Sequence, residues 1–234
     1  MAVTAIYVVA AGHAAPSLAD LTDRLIRAYD PVPIGAWGLH HRVFRSMPTS
    51  TTDKSPPHFQ HVLGLGHYPD RAFVHIAGPD QQQDTQPDRP TTSITIPWQQ
   101  MEQYSQLLNL KFGALWMYRM GLQITGGASY SLGEFTVRLG ELREKGGHMA
   151  LRGIVVCIQT AKQEPMDGPT QELLAEQNDA DEELRAGQAL VRDIWASFGV
   201  SQAKETISPR PPRETNEQPF DEVHLWCEAL RFQK

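Results

Sequence analysis

The sequence has little cysteine: Cys157 and Cys227 are the only two in 234 residues. No CxxC pair and no Asn-x-Ser/Thr acceptor occurs. A disulfide framework, a cysteine-rich zinc site and a glycosylated secreted surface therefore lack their residues, and a reducing compartment fits best. No apolar run is long enough to span a bilayer as a helix. The opening MAVTAIYVVAAGHAAPSLA carries no charge before Asp20. A signal peptide would place a basic segment ahead of its apolar core, so the same residues are read as a buried first strand.

Positive charge is also short. Lys and Arg number 21 against 27 Asp and Glu, a formal net charge of −6. Tight binding to a phosphate backbone depends on Lys and Arg displacing counterions, so nucleic acid is not an expected partner and proteins are. The acid is concentrated between Glu164 and Glu183, a stretch without Lys or Arg.

Motifs for bond chemistry are missing or incomplete. There is no HExxH, and no ExExK strand of the kind that phosphate-processing barrel enzymes use. Gly64-Leu-Gly66 opens like a dinucleotide fingerprint, but Pro69 stands where the third glycine belongs. Gly127-Ala-Ser129-Tyr-Ser131 is one glycine short of a nucleophile elbow, and Ser201-Gln-Ala-Lys204 lacks its companion motifs. Glu141 and Glu144 fall on opposite faces of a regular strand, as do His40 and His41, and His58 and His61. Neither paired-carboxylate catalysis nor a metal site is expected from them.

What the sequence does have is core-forming residues and turns. Hydrophobic residues make up 41%, with 17 prolines and 18 glycines. Val3–Val9 is β-branched and aromatic and reads as a strand. Ser17, with Asp20 three residues on, is placed to cap a helix carrying Leu18, Leu21, Leu25 and Tyr29 on one stripe, and Asp30-Pro31 ends it. Ile34–Met47, Phe59–His67 and Ala72–Ala77 alternate as a β meander, and Thr92–Ile96 is another strand. After Pro97, Trp98, Met101, Tyr104, Leu107, Leu108 and Phe112 follow a helical period.

Three strands are expected next, in GLQITGGASYSL, EFTVRLGELREKGG and ALRGIVVCIQTA. Gly146-Gly147 makes the turn between the last two, and Gly126-Gly127 marks a bend or bulge. A third helix carries Ala189, Leu190, Ile194, Trp195 and Phe198, and a fourth carries Phe220, Val223, Cys227 and Leu230. About eight strands in runs, with four helices, predict an α+β fold: one large antiparallel sheet curled into a barrel-like form and flanked by the helices. One domain spanning 1–234 is expected, with loops at 79–90, 163–183 and 200–219.

Three stretches carry a family likeness: MAVTAIYVV, the block LGEFTVRLGELREKGG followed by ALRGIVVCIQ, and FDEVHLWCEALRF. Together they resemble the family of Mediator subunit 20, in its filamentous-fungal form. The resemblance implies a β-barrel-like protein without catalysis or cofactor, located in the nucleus. It implies membership of the Mediator head module, a heterodimer with subunit 18, proximity to a helix of subunit 8, and a role in relaying regulators to RNA polymerase II. A link to the TATA-binding protein would need basic residues and apolar wedges on one surface, which this acidic chain does not advertise.

On the central strands Arg138, Arg143 and Arg152 are expected on the wetter side of the sheet, covering its surface or meeting an acidic partner. No catalytic, cofactor or metal residue is expected. The rival function is a barrel-type enzyme or ligand carrier acting on a phosphorylated small molecule, which would need a cavity of convergent groups. Trp37, Trp116, Trp195 and Trp226 are read mainly as core, with one of them a possible interface anchor.

Overall fold

The computed structural model describes residues 3–12, 14–48, 56–78, 92–146, 148–160, 176–209 and 218–231. Its strands are β1 (Thr4–Ala10), β2 (Val32–Ser46), β3 (Phe59–Leu65), β4 (Arg71–Ala77), β5 (Thr92–Pro97), β6 (Trp116–Leu132), β7 (Phe135–Glu144), β8 (Leu151–Thr160) and β9 (Lys204–Ile207). The helices are α1 (Leu18–Tyr29), α2 (Met101–Leu110), α3 (Glu176–Ser197) and α4 (Gln218–Ala229). All nine strands join one antiparallel sheet in the order β5-β4-β3-β2-β6-β7-β8-β1-β9, a line with two ends rather than a closed ring.

The expected fold class is therefore the observed one, with a strand more than the sequence suggests. The extra strand, β9, lies inside the 200–219 stretch read as connector. Its Lys204–Ile207 backbone pairs antiparallel with β1, from Val8↔Lys204 to Ala5↔Ile207. Propensity is weak in so short a segment; the ladder offered by β1 supplies the hydrogen bonds. Likewise α3 starts at Glu176, inside the 163–183 stretch read as loop. Glu, Gln and Ala there are good helix formers, and the acids favour an N-terminal turn. The 79–90 loop lies outside the described residues.

The described residues form two compact units. Unit one comprises Met1–Trp37, Gly126–Leu142 and Arg152–Lys234; unit two comprises Gly38–Thr125 and Arg143–Leu151. In unit one, alternation sends Val3, Ala5 and Tyr7 to one face, where Val137, Leu139, Ile154, Val156 and Ile158 join them. Leu21 and Leu25 of α1, with Leu184, Val191 and Ile194 of α3 and Phe198 just past its end, close that core. The helix start is as the sequence indicates: the Ser17 hydroxyl accepts from Asp20 N–H at 3.1 Å, and the Asp20 carboxylate accepts from Ser17 N–H at 3.0 Å.

Ile6, Val8, Val155 and Cys157 point the other way and are buried. Helix α4 packs on β1 and β9, with Val223, Trp226, Cys227 and Leu230 buried on its inner face. Lys204 fixes the end of α4: its Nζ donates to the carbonyls of Glu228 at 2.6 Å, Ala229 at 3.1 Å and Arg231 at 3.2 Å. Glu228 and Ala229 close α4, and a cation is favoured at a helix C-terminus. Two glycines admit close backbone approach in this unit. A Cβ on Gly153 would meet the Val9 carbonyl at 2.2 Å, and one on Gly127 would meet the Leu139 carbonyl and the Trp37 ring at 2.9 Å.

In unit two, β2, β3 and β4 bury Phe44, Val62, Ala72 and Val74 under Met101 and Leu108 of α2. Trp98 lies directly on Gly64, where a Cβ would come within 2.6 Å of its ring. Leu39, His41, His61, Leu63, Phe73 and His75 belong to the opposite face of the same strands and are also buried.

Candidate functional site

Of the three arginines singled out from the sequence, each has its own surroundings. Arg138 is half-buried, and its Nη1 donates to Gln159 Oε1 at 2.9 Å. Arg143 is half-buried in unit two and donates to the Met149 carbonyl at 3.3 Å. Arg152 is exposed at the start of β8.

The histidines are where the structure exceeds the sequence reading. Along a strand they alternate away from one another, but the register between strands brings three together. His61 stands opposite His75, and Val43 stands opposite His61, so His41 is its diagonal neighbour. His41 Nε2 and His61 Nδ1 are 3.0 Å apart, with the rings stacked 5.2 Å between centroids. One nitrogen of that pair must carry the shared proton. His75 continues the row, with its Nδ1 2.8 Å from Ser93 Oγ.

All three are buried, and burial alone pulls His41 down to about 4. Among the described residues His41 Nδ1 has no hydrogen-bond partner, which a neutral ring tolerates better than an imidazolium. The cross-strand pairing, which needs the register of three strands, was the signal that the sequence alone did not supply.

The α2 side of unit two holds a second polar cluster. The Arg42 guanidinium is buried and pairs with Glu102, and Lys145 Nζ reaches the same carboxylate at 3.1 Å. Hydrogen bonding from Arg42, then from Lys145, holds the Glu102 carboxyl below its usual range. Gln60 Nε2 donates to the Tyr104 hydroxyl beside them. His40 is lowered by burial and then by Lys145 and Arg42.

Neither cysteine is poised as a nucleophile. Burial pushes the Cys157 thiol up to about 12 despite Arg138, and burial also raises Cys227. Ser129 is buried within β6. Trp37 and Trp226 are buried and face each other with ring centroids 5.8 Å apart. Trp195 stacks on Tyr7 at 4.1 Å, and Trp116 packs on the unit-two core. The four tryptophans singled out from the sequence thus each make packing contacts within the protein.

A nine-stranded antiparallel sheet carries four helices, and burial favours the neutral forms of the His41 imidazole and of both thiols. Residues 1–226 match the family described as the TATA-binding related factor of subunit 20 of the Mediator complex. The chain belongs to that family, and so to the subunits of Mediator, the transcription-regulating assembly.

No curated protein matches the sequence. Solved structures overlap it only loosely. A protein from Pyrococcus horikoshii OT3 gives a TM-score of 0.42 at 12% identity, over 94% of this chain and 99% of that one. A Vibrio parahaemolyticus protein assigned as an adenylate cyclase gives 0.40 at 11%, over 92% and 95%. A Hippeastrum protein assigned as an adenylyl cyclase, with a dominant triphosphatase activity, gives 0.40 at 9%, over 95% and 96%. Overlaps of this size carry no activity from those proteins to this chain.

Proposed function

We propose that this Mediator subunit is a non-catalytic adaptor of the head module, working in the nucleus through protein contacts that link regulators to RNA polymerase II. The observation that carries the reading is the family match across residues 1–226. The interior supports it: the unit-one core is filled by side chains of β1, β7, β8, α1 and α3, where a ligand carrier or barrel-type enzyme would keep a cavity. In this reading the chain forms a heterodimer with Mediator subunit 18 and lies near a helix of subunit 8. Arg138, Arg143 and Arg152 contribute to partner contacts unequally. Arg152 meets a partner from the surface, and Arg138 acts through the strand it braces with Gln159.

Co-expression with subunit 18 tests the proposal. A stable one-to-one complex on size exclusion is the expected result, and two folded proteins eluting separately would count against it. Arg152→Glu is expected to weaken the complex, most strongly at low salt.

A further inference from the structure

The described residues of unit two are basic although the chain is acidic. The acids among them are Asp70, Glu102 and Glu144, against seven Lys or Arg. Glu102 is already committed to Arg42 and Lys145. In the same unit, the corner where α2 passes into β6 exposes large apolar side chains in close succession. Leu107 is 43% exposed, Leu110 79%, Phe112 43%, Leu115 50%, Met117 37% and Tyr118 39%.

Backbone bonds make this corner one structure. Phe112 N–H donates to the Leu107 carbonyl at 3.2 Å, Leu115 N–H to the Phe112 carbonyl at 2.8 Å, and Met47 N–H to the Leu115 carbonyl at 2.8 Å. Gly113 holds the turn, since a Cβ there would strike the Asn109 carbonyl at 2.7 Å. The apolar side chains are thus displayed on a fixed frame, not on a swinging loop.

Bases stand among them. Lys111 lies between Leu110 and Phe112, and Arg119 follows Tyr118. Among the described residues neither forms an ion pair. Lys145 approaches from the far side of Tyr118: a Cβ on Gly121 would touch both the Tyr118 hydroxyl and the Lys145 side chain. Single exposed apolar residues are ordinary, but Leu107, Leu110, Phe112 and Leu115 in close succession, with Lys111 and Arg119 beside them in the sequence, define a surface with a complement. That complement has large apolar groups for the corner and carboxylates for Lys111 and Arg119.

We propose that the α2–β6 corner docks an acidic peptide segment bearing large apolar side chains, contributed by another polypeptide. Its apolar groups seat on Leu110, Phe112 and Leu115, and its carboxylates engage Lys111 and Arg119. This rests on the adaptor reading above and specifies which face of the adaptor serves a mobile, acidic partner. Apolar contact supplies the holding energy, and charge supplies the approach rate and the preference against basic segments.

The test uses the whole chain and a fluorescein-labelled synthetic peptide with Asp or Glu alternating with Leu and Phe, read by fluorescence anisotropy. Saturable binding that weakens as salt rises is expected, because the cations are at the surface. A control peptide with Ser in place of Leu and Phe is expected to lose binding. Leu110→Ser with Phe112→Ser should weaken the first peptide about tenfold or more, and Lys111→Glu with Arg119→Glu about tenfold. Circular dichroism checks that each variant remains folded, which the exposure of these residues leads us to expect.

Equal binding by the parent and the Leu110→Ser/Phe112→Ser variant would overturn the proposal. So would loss of the complex with subunit 18 in that variant, because the corner would then be covered by assembly. Self-association of the parent chain that the variant abolishes, seen by sedimentation, would assign the corner to a second copy instead. Failure of the parent to assemble with subunit 18 while the peptide still binds would refute the adaptor reading and spare this one.

Discussion

The two units are built on strands of one sheet, yet their interiors differ in kind. In unit one the buried polar residues are Thr4, Ser129, Thr206 and Glu222, beside a core of aliphatic and aromatic side chains on both faces of β1 and β8. In unit two they are His41, Arg42, Gln60, His61 and His75, which occupy both faces of β2–β4, and Ser105 of α2. Unit one is held by apolar burial, which is indifferent to pH near neutrality. Unit two owes part of its order to groups whose charge state the solvent can change. The contrast separates a dry frame from a conditional one.

The largest effect is expected from emptying the dry frame. Trp226→Ala removes a fully buried indole that faces Trp37, and should cost about 3–5 kcal/mol in urea unfolding followed by far-ultraviolet circular dichroism. A loss below about 1 kcal/mol would mean that α4 contributes little to the frame.

Acid should find the conditional unit first. The folded protein holds His41 at about 4, below the ordinary 6.5, so it is stabilised by keeping this ring neutral. That stability is whole above pH 6.5, falls as pH drops from there toward 4, and amounts to a few kcal/mol. Hydrogen exchange through this window should show β2–β4 amides losing protection ahead of those of β1 and β8. His41→Gln should flatten the pH dependence, and simultaneous loss in both units would dissolve the contrast.

A smaller, local change sharpens the comparison from the other side. Ser17→Ala removes one half of the α1 capping box and should cost about 1 kcal/mol, at neutral and mildly acidic pH alike. A cost that grew sharply between pH 6.5 and 5 would tie α1 to a titrating group and blur the contrast.

Much of the fold was legible because its signals are local. Alternation in Val3–Val9 and Phe135–Leu139, the Ser17–Asp20 pair and the turn at Asp30 each act within a few residues, and each element formed where its pattern lies. Asp30 itself takes the left-handed conformation at φ 46°, donating its N–H to the Ile26 carbonyl. What escaped depended on distant partners. Lys204–Ile207 has no strand signal until β1 offers its edge, and the His41–His61–His75 row exists only through the registers of β2, β3 and β4. The exposed corner was hidden for a related reason. Phe112 continues the helical period that elsewhere marks a core, and the ending of α2 at Leu110 turns it outward.

One arrangement bears on how the chain comes to be folded at all. Strand β1, the earliest in the sequence, lies between β8 and β9, among the last strands to be synthesised. On the ribosome its run of Ile6, Tyr7, Val8 and Val9 must wait, without its two ladders, until almost the whole polypeptide has emerged. Closure over so long a separation is slow, and an oily unpaired strand is prone to wrong partners meanwhile. Newly made chains should therefore be at greatest risk before β8 appears, and truncations ending ahead of Leu151 should be recovered as aggregates or on chaperones.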